Sequence, residues 1–100
     1  MKLSSADIES LQARLPQWRY HAERGGILTR EFAFRDFAEA MGFMAEVAVH
    51  ADKRDHHPEW RNVYNRVWVT LTTHDAGGLT VKDVELAQRM EGISARRAAG

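Results

Sequence analysis

Two stretches of this 100-residue chain alternate polar and apolar residues on both sides of a short turn, and each follows a segment with helical periodicity. Trp18 and Tyr20 alternate with Arg19 in the first stretch, and Val67 and Val69 alternate with intervening polar or aromatic residues in the second. Alternation with period two around a turn is typical of a β-hairpin. A third helical segment closes the chain. The sequence therefore predicts the order α-β-β-α-β-β-α within a single domain, residues 1–100.

The first and last helices have similar start signals. Ser4 is followed three residues later by Asp7, and Thr80 is followed three residues later by Asp83. This spacing is that of a capping box, which opens a helix. The tail, residues 94–100, is small and basic and is expected to fray.

Four strands paired by hairpins make an antiparallel sheet, which can have one face covered and the other facing solvent. The apolar residues of the later strand, at odd positions from 67 to 71, should face the helices. Helices that follow hairpins in this way pack on one side of such a sheet. The predicted fold class is α+β, a four-stranded antiparallel sheet with three helices on one face.

The second helix, predicted from Phe34 to Lys53, has two apolar sides separated by a narrow polar stripe. One side contains Phe37 and Met41, and the other contains Phe43 and Val47. A helix that covers one sheet needs a single apolar face, so two such sides predict burial against a second surface. Another subunit is the expected second surface, and cover by the two terminal helices is the alternative.

Composition narrows the classes of partner. The chain has 14 basic and 14 acidic residues, so neither a nucleic acid nor an anionic membrane is expected as a direct partner. It has no cysteine, which excludes disulfides, thiolate metal ligands and cysteine nucleophiles. The first residues, MKLSSADIESLQARL, lack the apolar core of a signal peptide, and no stretch approaches the length of a membrane span. We expect a cytoplasmic protein.

The stretch RDHHPEW, residues 54–60, places two histidines side by side before a proline. Adjacent side chains diverge on a helix or strand, so His56 and His57 can share a site only on irregular backbone, which Pro58 favours. Hairpin pairing brings the start of one strand close to the end of its partner, where His74 is expected. The three imidazoles are therefore expected to converge, with Asp83 nearby.

Three interpretations of this cluster compete. Three histidines and a water suit catalytic zinc, although adjacent histidines rarely bind one ion well. Imidazole also suits general acid and base catalysis, because it titrates near neutral pH. In the third interpretation, His56 and His57 are exposed loop residues and His74 caps a strand end. Asp83 closes a capping box and could also favour the charged form of a nearby imidazole. Trp60, beside the loop, could shape a pocket for a flat ring.

A composite motif decides among these interpretations. The motif consists of Asp52, His56-His57-Pro58, Tyr64, His74 and Asp83, separated in turn by three, five, nine and eight residues. It resembles the signature of the pterin-4a-carbinolamine dehydratases. The surrounding stretch HHPEWRNVYNRVWVTLTTHDAGGLTVKDVELA is also similar to that family. The resemblance is dense from residue 52 to residue 87 and weaker upstream.

The resemblance implies an enzyme that dehydrates 4a-hydroxytetrahydropterin to quinonoid dihydropterin and water, without a metal or organic cofactor. The substrate is the product pterin of aromatic amino acid hydroxylases. The family's catalytic histidines correspond to His56, His57 and His74, and its acidic partner to Asp83. We expect His56 and His74 to transfer protons, and His57 to bind and orient the substrate.

The resemblance also bears on binding residues and partners. Besides His57, we expect Pro58 and Trp60 to contact the substrate. Family members are dimers or tetramers, so a homodimer or homotetramer through the helix at 34–53 is expected. Animal members also bind a homeodomain transcription factor, which makes a non-catalytic protein-interaction module the alternative function.

Overall fold

The computed structural model describes residues 1–99 and has the predicted order of elements. The helices and strands are α1 (Ser5–Arg14), β1 (Arg19–His21), β2 (Ile27–Ala33), α2 (Phe37–Arg54), β3 (Glu59–Val63), β4 (Arg66–Leu71) and α3 (Val81–Ala99). Short 3-10 turns lie at Glu23–Gly25 and His74–Ala76. The predicted α+β class and element order are confirmed.

The four strands form one antiparallel sheet in the order β1-β2-β4-β3, so the two hairpins lie side by side. Between the central strands, Leu28 is opposite Leu71 and Phe32 is opposite Val67, and all four side chains are buried. Alternate residues of a strand point to opposite faces. The intervening residues, such as Trp68, are more exposed and form the second, open face of the sheet.

One hydrophobic core joins the three helices to the buried face of the sheet. Leu11 of α1, Phe43 of α2 and Met90 of α3 are buried in the same cluster as Phe32 and Val69. The rings of Phe32 and Phe43 lie 4.7 Å apart. Burial of such large apolar side chains is the main stabilising contribution in a domain of this size. Within residues 1–99, no helix is both long enough and apolar enough to cross a membrane.

Helix α2 begins at Phe37, three residues later than predicted. Asp36 is its N-cap, and the Asp36 Oδ1 atom accepts a hydrogen bond from the Glu39 backbone N–H at 2.8 Å. The Phe34 backbone instead continues the sheet, since its N–H donates to the carbonyl of Asn65 at 2.8 Å. In the sequence, the helical spacing of apolar residues extends back to Phe34, because that side chain is buried in the same core as the helix.

Helix α3 continues to Ala99, so the expectation that the tail frays is wrong for residues 94–99; Gly100 lies outside the described residues. Arg96 and Arg97 form ion pairs with Glu46 on the polar stripe of α2. The hydrogen bond from Arg96 lowers the pKa of Glu46 below its usual value. These pairs hold the last turns of α3 against α2.

The two apolar sides of α2 differ in burial. Phe43 and Val47 are fully buried, whereas Phe37, Met41 and Val49 are 48%, 36% and 55% exposed. Because α3 packs along the polar stripe, the terminal helices do not cover this second apolar side.

Candidate active site

The loop that carries His56 and His57 is fixed by the way α2 ends. Asp55 adopts a left-handed conformation (φ 49°), and the next backbone N–H, of His56, returns to the Ala51 carbonyl at 3.0 Å. A left-handed residue at this point turns the chain and satisfies the last helical carbonyls. Pro58 then favours extended backbone at His57, which leads into β3. The predicted irregular backbone between two regular elements is present.

Asp83, in the first turn of α3, is completely buried and uses both carboxylate oxygens. Its Oδ1 atom lies 2.6 Å from the Nε2 atom of His56. Its Oδ2 atom accepts from the Thr73 hydroxyl at 2.7 Å and from the Thr80 backbone N–H at 3.0 Å. A buried carboxylate needs such partners to offset its lost hydration. Asp83 therefore ties the loop after α2 to the end of β4 and the start of α3.

The contact with Asp83 determines how His56 can act. The carboxylate accepts the hydrogen bond, so the Nε2 atom of His56 carries a proton. In the neutral imidazole the Nδ1 atom is then a proton acceptor. The His56 side chain is only 10% exposed, so packing as well as the hydrogen bond holds its orientation. This is the arrangement of an oriented acid–base imidazole.

His57 occupies a more open position. Its Nε2 atom lies 2.9 Å from the Oδ1 atom of Asp52, and the two side chains are 57% and 82% exposed. An exposed pair of this kind contributes little to stability. His57 is thus accessible to a ligand, and Asp52 orients its ring.

His74 begins the 3-10 turn that follows β4 and is exposed. It lines a cavity of about 280 Å³ together with Thr72, Gly77, Gly78 and Arg24 from the β1–β2 turn. The residue before it, Thr73, donates to Asp83. The turn that carries His74 is therefore anchored to the buried carboxylate that also holds His56.

An ion pair borders this cavity. The Nη1 and Nη2 atoms of Arg24 donate to the two carboxylate oxygens of Glu59 at 2.9 and 2.6 Å. The hydrogen bond from Arg24 lowers the pKa of Glu59 below its usual value, and the charges of Arg24 and His74 act in the same direction. Glu59 thus lies within electrostatic range of His74, two residues after His57.

Of the predicted site residues, the structure joins His56 and Asp83 directly and connects both to the His74 turn through Thr73. His56 lines a groove of about 490 Å³ between α2 and α3, and His74 lines the cavity of about 280 Å³. In the part of the chain that the structure describes, no three His, Asp or Glu side chains are placed to hold a metal ion.

Pro58 and Trp60, the other two predicted substrate contacts, lie in different surroundings. Pro58 is half-buried, and Trp60 packs against the hydrophobic core from the helix-covered face of the sheet. Sequence reasoning missed Thr73, Arg24 and Glu59. The signal for Thr73 was its place beside His74, whereas Arg24 and Glu59 are 35 residues apart and no local pattern connects them.

Two turns meet backbone to backbone beside the His74 cavity. A Cβ atom on Gly25 would lie 1.8 Å from the Gly77 carbonyl oxygen, and one on Gly78 would lie 2.3 Å from the Gly25 carbonyl oxygen. Only glycine permits so close an approach, and Gly25 also has a φ of +80°. These glycines set the distance between the Arg24 turn and the His74 turn.

We predict that Gly78→Ala lowers the free energy of unfolding by about 1–3 kcal/mol, because the added methyl group forces the two turns apart. Thermal unfolding should report a melting temperature at least about 4 °C lower. Gly92→Ala is the matched control, since its Cβ would meet nothing within 4 Å. In a helix that change should stabilise by about 0.5–1 kcal/mol. A Gly78→Ala protein that melts at the wild-type temperature would contradict the close contact.

Comparison with known proteins gives a consistent result. A family model described as Pterin 4 alpha carbinolamine dehydratase matches residues 1–93. A protein of Novosphingobium aromaticivorans with the provisional name pterin-4-alpha-carbinolamine dehydratase is 54% identical over 90 residues, which cover 90% of this chain and 93% of the relative. A protein of Afipia carboxidovorans with the same provisional name is 57% identical, over 94% of this chain and 93% of the relative.

Two solved structures are also similar to this chain. The crystal structure of a transcriptional coactivator/pterin dehydratase from Brucella melitensis matches with a TM-score of 0.88 and 42% identity, over 94% of this chain and 99% of that one. A pterin dehydratase-like protein, described as a RuBisCO assembly factor in the alpha-carboxysome, matches with a TM-score of 0.68 over 78% of this chain and 89% of that one. At 20% identity, the second match shows a shared fold alone.

Proposed function

Because this chain belongs to the pterin-4a-carbinolamine dehydratase family, we propose that it dehydrates 4a-hydroxytetrahydropterin to quinonoid dihydropterin and water. The observation that carries the proposal is the buried carboxylate of Asp83. It orients the His56 imidazole and anchors Thr73, the residue before His74. A purely structural capping carboxylate would need neither contact.

The chemistry requires one proton to be delivered and one to be removed. The bond from carbon 4a to the hydroxyl oxygen breaks, and an imidazolium protonates the departing oxygen so that it leaves as water. A base removes the proton from N5, and that electron pair forms the double bond between N5 and carbon 4a. One acid and one base therefore complete the turnover without net proton uptake. His56 and His74 are the proposed proton carriers.

The remaining site residues have supporting roles in this proposal. Asp83 fixes the proton on the Nε2 atom of His56 and stabilises the imidazolium when that ring is charged. His57, which is 57% exposed, binds and orients the pterin, together with Pro58 and Trp60. The mechanism uses no metal or organic cofactor, so turnover is expected to persist in the presence of a chelator.

The direct test uses 4a-hydroxytetrahydropterin generated in situ by an aromatic amino acid hydroxylase. Its decay is followed by absorbance with and without a catalytic amount of the purified chain. Accelerated decay supports the dehydratase. Spontaneous decay alone, with a protein shown to be folded, would contradict it and favour a non-catalytic interaction module. We further propose that the protein is cytoplasmic and that an aromatic amino acid hydroxylase supplies its substrate.

We also propose that the chain forms a homodimer or homotetramer through α2. The supporting observation is the exposed apolar side of that helix, which includes Phe37, Met41 and Val49. An apolar stripe on an otherwise polar surface marks an interaction site. A second copy presents the same stripe, and symmetric pairing would bury both.

We predict that Met41→Glu dissociates this assembly, because the new carboxylate would be buried in the interface. Size-exclusion chromatography with light scattering should give a multiple of 11.4 kDa for the wild type and a smaller assembly for the variant. Val81→Glu is the control, since Val81 is 60% exposed and lies at the start of α3, where a carboxylate is favourable. A wild-type protein of 11.4 kDa would refute the proposed interface.

A further inference from the structure

Arg24 has no part in the proposed proton transfers, yet it lines the His74 cavity. Glu59 holds that guanidinium through two parallel hydrogen bonds, from Nη1 and Nη2, at 2.9 and 2.6 Å. A guanidinium has five N–H donors, so three remain after this pairing. Arg24 therefore brings a planar donor group, held by Glu59, to the wall of a cavity that His74 also lines.

The backbone at Arg24 makes this placement notable. Arg24 has φ 55° and ψ 26°, the left-handed conformation that glycine or asparagine adopts more readily. Gly25 and Gly26 follow, also with positive φ. Strained backbone of this kind often accompanies function. The turn thus carries a large charged side chain at a position where a smaller residue would fit the conformation better.

We propose that Arg24, fixed by Glu59, binds the carbonyl oxygen of the pterin and orients the ring for proton transfer at His74. This inference rests on the proposed dehydratase function. The carbonyl carbon is the neighbour of carbon 4a in the pterin ring, so a donor that holds its oxygen also positions the reacting carbon. A guanidinium suits this task, because its donors are coplanar and match a planar acceptor ring.

The pairing with Glu59 also suits the chemistry of His74. The carboxylate of Glu59 offsets the charge of Arg24, so the cavity has donors without an uncompensated positive charge. Glu59 is accordingly a positioning residue and Arg24 a substrate-binding residue.

The test compares Arg24→Asn with wild type, because asparagine tolerates left-handed backbone and removes the guanidinium. Loss of a charge-assisted hydrogen bond to the substrate should raise KM about tenfold to a hundredfold. Because the ring is then less well oriented, kcat should also fall, by up to about a hundredfold. Glu59→Gln should raise KM less, since Arg24 remains but is no longer fixed. Arg66→Asn is the control: Arg66 is 51% exposed and pairs with Glu31 near the opposite end of β4. A wild-type KM for Arg24→Asn would overturn the inference.

A binding measurement separates this inference from the proposed function. The intrinsic fluorescence of wild type and Arg24→Asn is titrated with 7,8-dihydropterin, which retains the carbonyl group. Tighter binding by wild type supports the role of Arg24 even if the chain proves not to catalyse dehydration. Equal binding by the two proteins, or no binding by either, would overturn it.

Discussion

Asp83→Asn is expected to lower turnover by about a hundredfold to ten-thousandfold, the range associated with loss of one proton transfer. The amide has one oxygen where the carboxylate has two, and Asp83 uses both of its oxygens. If the amide oxygen faces Thr80, the NH₂ group faces the Nε2 atom of His56. That nitrogen must then accept a hydrogen bond, which moves the imidazole proton to the other ring nitrogen. The wrong tautomer of His56 would be held in place.

The same substitution should also reduce stability. With the amide oxygen toward Thr80, His56 keeps its hydrogen bond only by changing tautomer. With the oxygen toward His56, the buried Thr80 backbone N–H loses its acceptor, which costs about 1–3 kcal/mol. Thermal unfolding and the dehydration assay, carried out on the same preparation, separate the two effects. Asp7→Asn is the matched control, because Asp7 holds the equivalent capping position in α1 but is exposed. That control should retain full activity. An Asp83→Asn protein with wild-type turnover would contradict the proposed role of the carboxylate.

His74→Ala is expected to lower kcat by a similar factor, about a hundredfold to ten-thousandfold, without a change in melting temperature. The reason is the position of the side chain: His74 is exposed in a 3-10 turn, so its removal leaves no cavity in the core. The anchoring of the turn through Thr73 is also preserved. Both kcat and KM are measured from rates over a range of substrate concentrations that spans KM, and thermal unfolding checks the fold.

His21→Ala serves as the control for His74→Ala. His21 lies in β1, its Nε2 atom is 2.9 Å from the Thr29 hydroxyl, and it has no part in the proposed mechanism. Its loss should leave kcat unchanged. If His74→Ala keeps the wild-type kcat, His74 is not a proton carrier and that part of the mechanism fails.

The two predicted capping boxes show where a local sequence pattern predicts the hydrogen bonds correctly and where it does not. The Ser4 and Asp7 pair forms a complete box, with both reciprocal hydrogen bonds. The same spacing at Thr80 and Asp83 forms only half of one. Asp83 accepts from the Thr80 backbone N–H, but the Thr80 hydroxyl bonds to Thr73 and accepts from Lys82 instead of Asp83. The second pair is buried, so contacts with another element replace part of the local pattern.

Local patterns predicted the elements and the pairing within each hairpin, because alternation in the strands and apolar spacing in the helices depend on neighbours a few residues away. The pairing of β2 with β4, which places Leu28 opposite Leu71, came from the structure. The sequence by itself also determined the identity of the candidate residues, His56, His57, His74 and Asp83, through the spacing of one motif. Only the tertiary structure decided which of them touch. Three contacts join residues 27 to 53 positions apart: His56 with Asp83, Arg24 with Glu59, and the two glycine turns with each other. Such contacts form only when the whole sheet and its helices pack, since each is fixed by the positions of several elements at once.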